Sequence, residues 1–466
     1  MSSDWNLIDT LLGGTPAMRA AGKEYLPQHD AESNKNYANR LARATLLNVL
    51  EDTLDTLTGK PFTEDIVIGD DMPPAIAELL DDIDMQGTAL QPFCRAWFRE
   101  GWAKAFSHVL IDHPVRQEVF DSEGKPRART LEDDRRDGHR PYWIRIRPEN
   151  IIAAYDTVVN GRRRLYHVRI LETTTELVGF EEVSVQRIRV LEPGTWTLWR
   201  KEKDTWRVES AGSTGLDQIP LVTFFAGKRI GPMEAKPPLA DLAHLNIAHW
   251  QSSADQRNVL TVARFPILAG RGIDEDSKVD IGPNNFLTSS EGGEWYYVEH
   301  TGAAIEAGRK DLEALEHQMA SYGSEFLRRR PGGETATARA LDSAEAMSYL
   351  DATKLTFQDC VEEALMITAQ WMGLETGGSI QLGGSQDDLA GAEAPELDAL
   401  HKARTAKDIS RKAYLAELKR RSVLADDFDA EADADELETE APTDGLAGMF
   451  GEMPPAGAVP PAEEDE

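Results

Sequence analysis

Apolar positions along this chain change period several times, and each change marks a different kind of element. From Tyr37 to Thr58, Leu46, Leu47, Val49, Leu50, Leu54 and Leu57 interleave with Thr45, Asn48 and Glu51, a spacing that predicts one amphipathic helix ended by Pro61. Between Leu90 and His108, Phe93, Trp97, Phe98, Trp102 and Phe106 form an aromatic face at helical spacing, which reads as core rather than site. The chain up to about Asp112 therefore reads as helical. From Tyr142 to Phe225 the period falls to two, as in Trp143-Ile144-Arg145-Ile146-Arg147, and Asn160-Gly161 and Pro193-Gly194 punctuate the runs. This predicts an antiparallel β domain. Arg145, Arg147, Arg169, Arg187 and Arg189 share its polar side, a solvated face before a DNA-binding one.

After Pro237-Pro238 the helical period returns. Leu239 to Val262 runs without Gly or Pro and spans ~36 Å at about 1.5 Å per residue. A second helix carries Ile305, Gly308, Leu312, Leu315, Met319, Tyr322 and Phe326 on one face, with Lys310, Asp311, Glu313, Glu316 and Ser324 on the other. Helices this long and one-sided imply a partner surface outside the subunit. A β-like, Gly-rich insert separates them, with exposed candidates in the Asn284-Asn285-Phe286 turn and in Trp295-Tyr296-Tyr297. The second helix ends in Arg328-Arg329-Arg330, cations where the helix dipole favours them. Pro331 then removes an amide donor, Gly332-Gly333 free the backbone, and after Glu334 either Thr335 or Thr337 can cap a helix that resumes to Met372. Gly377-Gly378 and Gly383-Gly384 read as a flexible connection, and Pro395 to Arg421 as a last helix with eight Lys or Arg from Lys402 onward. Those cations either face DNA or neutralise the acidic tail behind them.

Composition narrows the function classes. At 466 residues and 41% hydrophobic, the chain holds two to three domains with real cores. The net charge is −31, and the 15 acids of Ser422 to Glu466, with no Lys or Arg among them, leave the body still at −16. Tight DNA binding through many phosphate contacts is disfavoured. Beyond Asp426 the Ala, Asp, Glu, Pro and Gly composition predicts disorder. Cys94 and Cys360 are too few and too far apart for a disulfide framework, there is no secretion signal, and no apolar run approaches the ~18 residues of a membrane span.

No catalytic motif emerges. Gly227-Lys228-Arg229 and Gly59-Lys60-Pro61 lack the phosphate-loop pattern, and neither Gly-x-Ser-x-Gly nor His-Glu-x-x-His occurs. His244 and His249 stand ~140° apart on a helix and do not share a metal. Asp81, Asp82 and Asp84 read as a solvated cluster. The expectation is a non-enzyme with no cofactor and no metal.

Pro237-Pro238-Leu239-Ala240-Asp241-Leu242-Ala243-His244 and the residues on to Gln256 resemble the central helix of tailed-bacteriophage portal proteins, as does Phe326 to Leu350 with its Arg-Arg-Arg-Pro-Gly-Gly break. Val109 to Pro114 and Arg140 to Ile152 look like a branch of that family, and the resemblance covers roughly Trp5 to Asp429. It implies an α+β, mainly helical portal fold. Residues 1–140 would be the N-terminal helical part of the wing and 141–236 its β-rich domain. Stem helices would occupy 237–262 and 303–327, with a small β-containing clip at 263–302 between them. Residues 328–376 would hold the tunnel loop and following helix, 377–425 the crown, and 426–466 a disordered acidic tail.

The resemblance further implies a homo-oligomeric ring, typically dodecameric, at the capsid vertex of a virion, assembled in the bacterial host cytoplasm. Double-stranded DNA would pass through it in packaging and ejection. Terminase, the packaging motor, and later a head-tail adaptor would dock on it, major capsid and scaffolding proteins would surround it, and no membrane is involved. The tunnel loop would present Arg328, Arg329, Arg330, Pro331, Gly332, Gly333, Glu334 and Thr335 to DNA, and the clip its Asn, Phe, Trp and Tyr candidates to docking partners. A nuclease or motor subunit of the packaging apparatus, another head-to-tail connector and a soluble helical scaffold are the alternatives.

Overall fold

The computed structural model describes residues 2–114, 119–120, 125–127, 130, 132–133, 137–264, 267–271, 293–298, 302–326, 348–383, 394–405 and 409–420. The chain divides into two compact units, residues 1–384 and 385–466. Helices and strands both contribute to the first, so the class is α+β.

Unit one opens with α1 (Ser2–Leu12), α2 (Asn34–Arg43) and α3 (Val49–Gly59). The single helix expected from Tyr37 to Thr58 is two. Ala44 leaves helical geometry with ψ 135°, and Asn48 restarts the chain by accepting from Glu51 N at 3.3 Å while donating to the Glu51 carboxylate at 2.7 Å. Gly59 and not Pro61 closes α3, since Pro61 lies inside a following 3₁₀ turn. Asp82 and Asp84, expected to be merely solvated, shape a turn by accepting the amides of Gly87, Gln86 and Thr88.

Helix α4 (Leu90–Lys104) stops at Ala105, whose φ of +79° is left-handed. Its carbonyl is then held by the amides of Ala226 and Gly227. The chain continues as strand β1 (Phe106–Asp112), so the helix does not reach His108. β1 is central in a three-stranded antiparallel sheet between β2 (Tyr142–Ile146) and β8 (Leu221–Phe225). Between β2 and β8 runs an up-and-down meander of β3 (Ile151–Val159), β4 (Arg162–Val178), β5 (Glu181–Glu192), β6 (Thr195–Glu202) and β7 (Thr205–Ser213). The run read as one β domain is thus two sheets.

One face of the three-stranded sheet presents Val109, Ile111, Trp143, Val222 and Phe224 to the helices. Its other face, through Leu110, Ile146 and Leu221, meets Val168, Ile170 and Leu191 at the base of the meander. The helical side is an aromatic core in which Phe357 packs on Trp97, Phe98 and Phe224 with centroids 4.8–5.1 Å apart. The aromatic face of α4 is core, as its spacing predicts.

Three further elements follow: α5 (Ala240–Ala263), α6 (Ala303–Glu325) and α7 (Tyr349–Met372). Between α5 and α6 stands a two-stranded ladder of β9 (Ile267–Arg271) and β10 (Glu294–Val298). Thr337, the expected point at which the helix resumes, lies outside the described residues, and α7 has its own start. It starts at a capping box in which Ser348 Oγ accepts from Asp351 N at 3.1 Å and the Asp351 carboxylate accepts from Ser348 N at 3.3 Å. Gly377, Gly378 and Gly383 are packed and not free. Ile380–Gln381 pairs with Val67–Ile68, Ser379 binds Asp71 through amide and hydroxyl at 3.0 and 2.6 Å, and a Cβ on Gly377 would lie 2.5 Å from the Leu365 backbone. Gly384 lies outside the described residues.

In unit two the helix expected from Pro395 to Arg421 is α8 (Ala394–Thr405) and α9 (Arg411–Arg420). Ser410 caps α9 by accepting from Ala413 N at 3.1 Å. The acidic tail after Asp426 lies outside the described residues.

Candidate docking site

Helices α5 and α6 run antiparallel. Tyr322 Oη donates to Pro238 O at 3.2 Å, His249 Nε2 lies 3.3 Å from Glu316 Oε1, Ser252 Oγ donates to Asp311 Oδ2 at 2.6 Å, and Gln256 Nε2 donates to Ile305 O at 2.8 Å. Contacts thus descend one helix as they climb the other, over ~36 Å. Gly308 sits where a Cβ would come 2.1 Å from Gln256 Oε1, so the small residue lets the helices close up without displacing that amide. The face predicted for α6 is the face that is covered, with Met319 fully buried and Glu306, Arg309, Lys310 and Glu313 on the solvent side.

What covers it within the chain is chiefly α5, and the remaining faces of α6 stay exposed. Helix α5 shows no single apolar stripe because it is enclosed from two sides. On the side away from α6, Asn246 accepts from Leu50 N at 3.0 Å and donates to Leu47 O at 2.8 Å, and Gln251 donates to Tyr25 O at 2.9 Å. Arg40, 2% exposed, binds Glu32 at 2.7 Å, Asp255 at 2.9 Å and Pro27 O at 2.7 Å. The Arg40 hydrogen bonds hold the Glu32 carboxyl below its ordinary pKa.

Each end of the pair carries an insert. At one end, residues 264–302 link α5 to α6 and include the β9–β10 ladder, where Trp295, Tyr296 and Tyr297 pair in register with Gly270, Ala269 and Leu268. Tyr296 is 46% exposed and Trp295 half-buried. Asn284, Asn285 and Phe286 lie outside the described residues. At the other end, the chain leaves at Phe326 and returns at Ser348, and Leu350 N donates to Phe326 O at 3.4 Å. Trp102 packs edge-on against both Phe326 and Tyr349, at 5.5 and 5.7 Å, and those two rings meet at 5.8 Å. A cavity of about 580 Å³ opens beside this clamp, lined by Lys228, Lys236, Asp241, Tyr322 and Tyr349 among others. Burial, followed by the Asp241 charge, pushes the Tyr322 hydroxyl up to about 12. Arg328, Arg329, Arg330, Pro331, Gly332, Gly333, Glu334 and Thr335 lie outside the described residues.

Three arginines of the meander, Arg187, Arg189 and Arg200, are not free cations. Arg187 forks onto Glu209 at 2.6 and 2.9 Å and reaches Glu176 at 2.6 Å, Arg200 binds Glu176 at 2.7 Å, and Arg189 joins Glu172 and Asp112 at 2.6 and 2.8 Å. Arg145, Arg147 and Arg169 are exposed. Strand register creates these ladders, setting Glu172 opposite Arg187 and Arg187 opposite Arg200, and period alone does not reveal it. His249 is buried and His244 exposed. Among the described residues no group of three or more His, Cys, Asp or Glu is placed to hold a metal, and no helix is long and apolar enough to cross a membrane. Both thiols are buried and free, and burial pushes that of Cys360 up to about 12.

A family model described as "Domain of unknown function (DUF4055)" matches residues 238–372, which take in α5, both inserts, α6 and α7. No curated protein matches the chain. Among solved structures, the chain is similar to one from the neck of an empty gene transfer agent (GTA) particle computed with C6 symmetry. That match has 13% identity and a TM-score of 0.39, covering 87% of this chain and 98% of the other. It is also similar to chains from the virion of a native GTA particle (12%, 0.38, 89% and 99%) and from the neck of a native GTA particle computed with C12 symmetry (12%, 0.39, 87% and 98%).

Proposed function

We propose that the chain is the subunit of a portal-type ring, a non-catalytic conduit for double-stranded DNA at a capsid vertex that also serves as a docking platform. The observation that carries this reading is the antiparallel α5–α6 pair with an insert at each end, ~36 Å apart. Such a strut holds one insert toward a partner and the other toward an axis while its own length is braced by α2 and α3. In the ring, residues 264–302 face the packaging motor and later the tail adaptor, with Trp295 and Tyr296 as contact candidates. Residues 327–347, with their Arg-Arg-Arg-Pro-Gly-Gly sequence, border the channel.

Charge supports a conduit over a clamp. The chain is −31 overall, and Arg187, Arg189 and Arg200 are neutralised by their own sheet, so phosphates meet few free cations and a duplex slides without being held. Negative-stain imaging of the purified full chain tests the reading. Rings with a central hole are expected, and a monomer or a compact assembly without a hole at micromolar concentration overturns it.

A further inference from the structure

Strand β4 is 17 residues long and spans roughly 50 Å. It ends in a two-residue hairpin at each extremity, and exposed apolar side chains stand in or beside both turns. At the β4–β5 tip Gly179 takes φ +68° and hands the second turn position to Phe180, whose side chain is 107% exposed. Leu177 and Val178 beside it are 75% and 63% exposed. This tip projects. β5 pairs with β6 only from Arg187 onward and β4 pairs with β3 only up to Ile170, so residues 173–186 form a two-stranded ribbon that only side chains of β6 reach, Arg200 at Glu176 and Lys201 at Gln186. At the β3–β4 tip Asn160 and Gly161 both take positive φ, +51° and +75°, and Val158 and Val159 are exposed.

The two tips carry opposite charge. Glu176 is committed to Arg187 and Arg200, but Glu181 and Glu182 have no ion-pair partner among the described residues. At the far end Arg163 is committed to Asp156 at 3.0 Å, which leaves two more arginines, 162 and 164, in the sequence of that tip. One end thus carries two acids without an ion-pair partner among the described residues beside exposed Leu177, Val178 and Phe180, and the other an arginine-rich sequence beside exposed Val158 and Val159. One strand holds them too far apart to meet within the chain.

We propose that these ends are partners for each other between copies, the Phe180 tip of one chain docking on the Val158–Val159 end of the next. Unlike patches on one rigid body give a heterologous, head-to-tail contact, which propagates into a ring or an open chain according to the rotation between copies. The inference deepens the ring reading by naming a contact surface; it rests on self-assembly but not on a DNA conduit.

Mass photometry and sedimentation of the full chain test it, with thermal unfolding as the check on folding. Reversing one end, E181R/E182R or R162E/R164E, leaves the Arg163–Asp156 pair intact and should weaken self-association by at least about tenfold, because like charges then face each other. The fourfold reversal E181R/E182R/R162E/R164E should restore it. Phe180→Ser alters a side chain wholly in solvent, cannot damage a core, and should weaken association by about tenfold as well. A wild-type monomer, reversal without effect, or a folded fourfold variant that fails to reassociate overturns the contact. Rings that persist in the reversed variants sink this contact and leave the ring reading standing. Open chains that dissolve on reversal keep the contact and sink the closed ring.

Discussion

The α5–α6 pair and the β3–β7 meander both hold many polar side chains out of full contact with water, and they satisfy them in opposite ways. In the helix pair the partners are mostly backbone groups of distant segments: Asn246 on Leu47 and Leu50, Gln251 on Tyr25, Gln256 on Ile305. Each such bond ties α5 to another element, so the pair is fixed to the body along its length. In the meander the partners are mostly charges on neighbouring strands of the same sheet, and among the described residues it is the base, around Val168, Ile170 and Leu191, that packs on the three-stranded sheet. The first region is a strut whose rigidity comes from its surroundings. The second is a single layer that carries its own cohesion outward, free to meet something beyond the subunit.

Trp250→Ala tests the strut side most severely. This ring is fully buried in α5, and its removal should lower stability by about 3–5 kcal/mol in chemical denaturation. A loss below about 1 kcal/mol would mean that α5 is held less tightly than its contacts imply. Arg40→Leu comes next. It strands the Glu32 carboxylate, itself buried beside Pro27, and should cost about 3 kcal/mol at neutral pH. The folded pKa of Glu32 lies below its unfolded value, near 4.3, so the Arg40 contribution is fully present above that value and fades as pH falls through the folded pKa. Stability curves of wild type and variant should therefore converge on acidification below about pH 4; curves that stay parallel there would contradict the pairing. Arg187→Leu should have the smallest effect. Its partners Glu176 and Glu209 keep Arg200, and partly exposed pairs contribute about 1 kcal/mol or less, fading in high salt. A salt-independent loss above about 3 kcal/mol would erase the distinction between strut and layer.

Much of the helical plan was legible because one covered face leaves a clean period. Ile305, Leu312, Leu315, Met319, Tyr322 and Phe326 read correctly as one face, but the role of α5 in covering them was not legible: a helix wrapped from two sides shows no stripe of its own. Strand β1 escaped notice for a related reason. Buried on both faces, Phe106 to Ile111 does not alternate, and it follows an aromatic helix with no Gly or Pro between them, the break being the left-handed Ala105. The break before α3 did carry a signal, Asn48 followed by Glu51, but the apolar spacing runs through it unbroken. Cross-strand ion pairs such as Glu172 with Arg189 and Glu176 with Arg187 depend on register, which follows from turn placement and not from period. Of the residues named from sequence for the insert, Trp295, Tyr296 and Tyr297 lie in a strand of the β9–β10 ladder.

The closure of Phe326 onto Leu350 has a practical corollary. The main chain returns to the point it left, and the seam is secured by Trp102 and Tyr349 independently of the residues it brackets. New termini opened within 327–347 would therefore begin and end side by side, and a foreign domain spliced there would hang from a stapled neck. The segment most closely tied to the proposed passage of DNA is thus bracketed by chain ends that already meet, an anchor for permutation, insertion or a reporter.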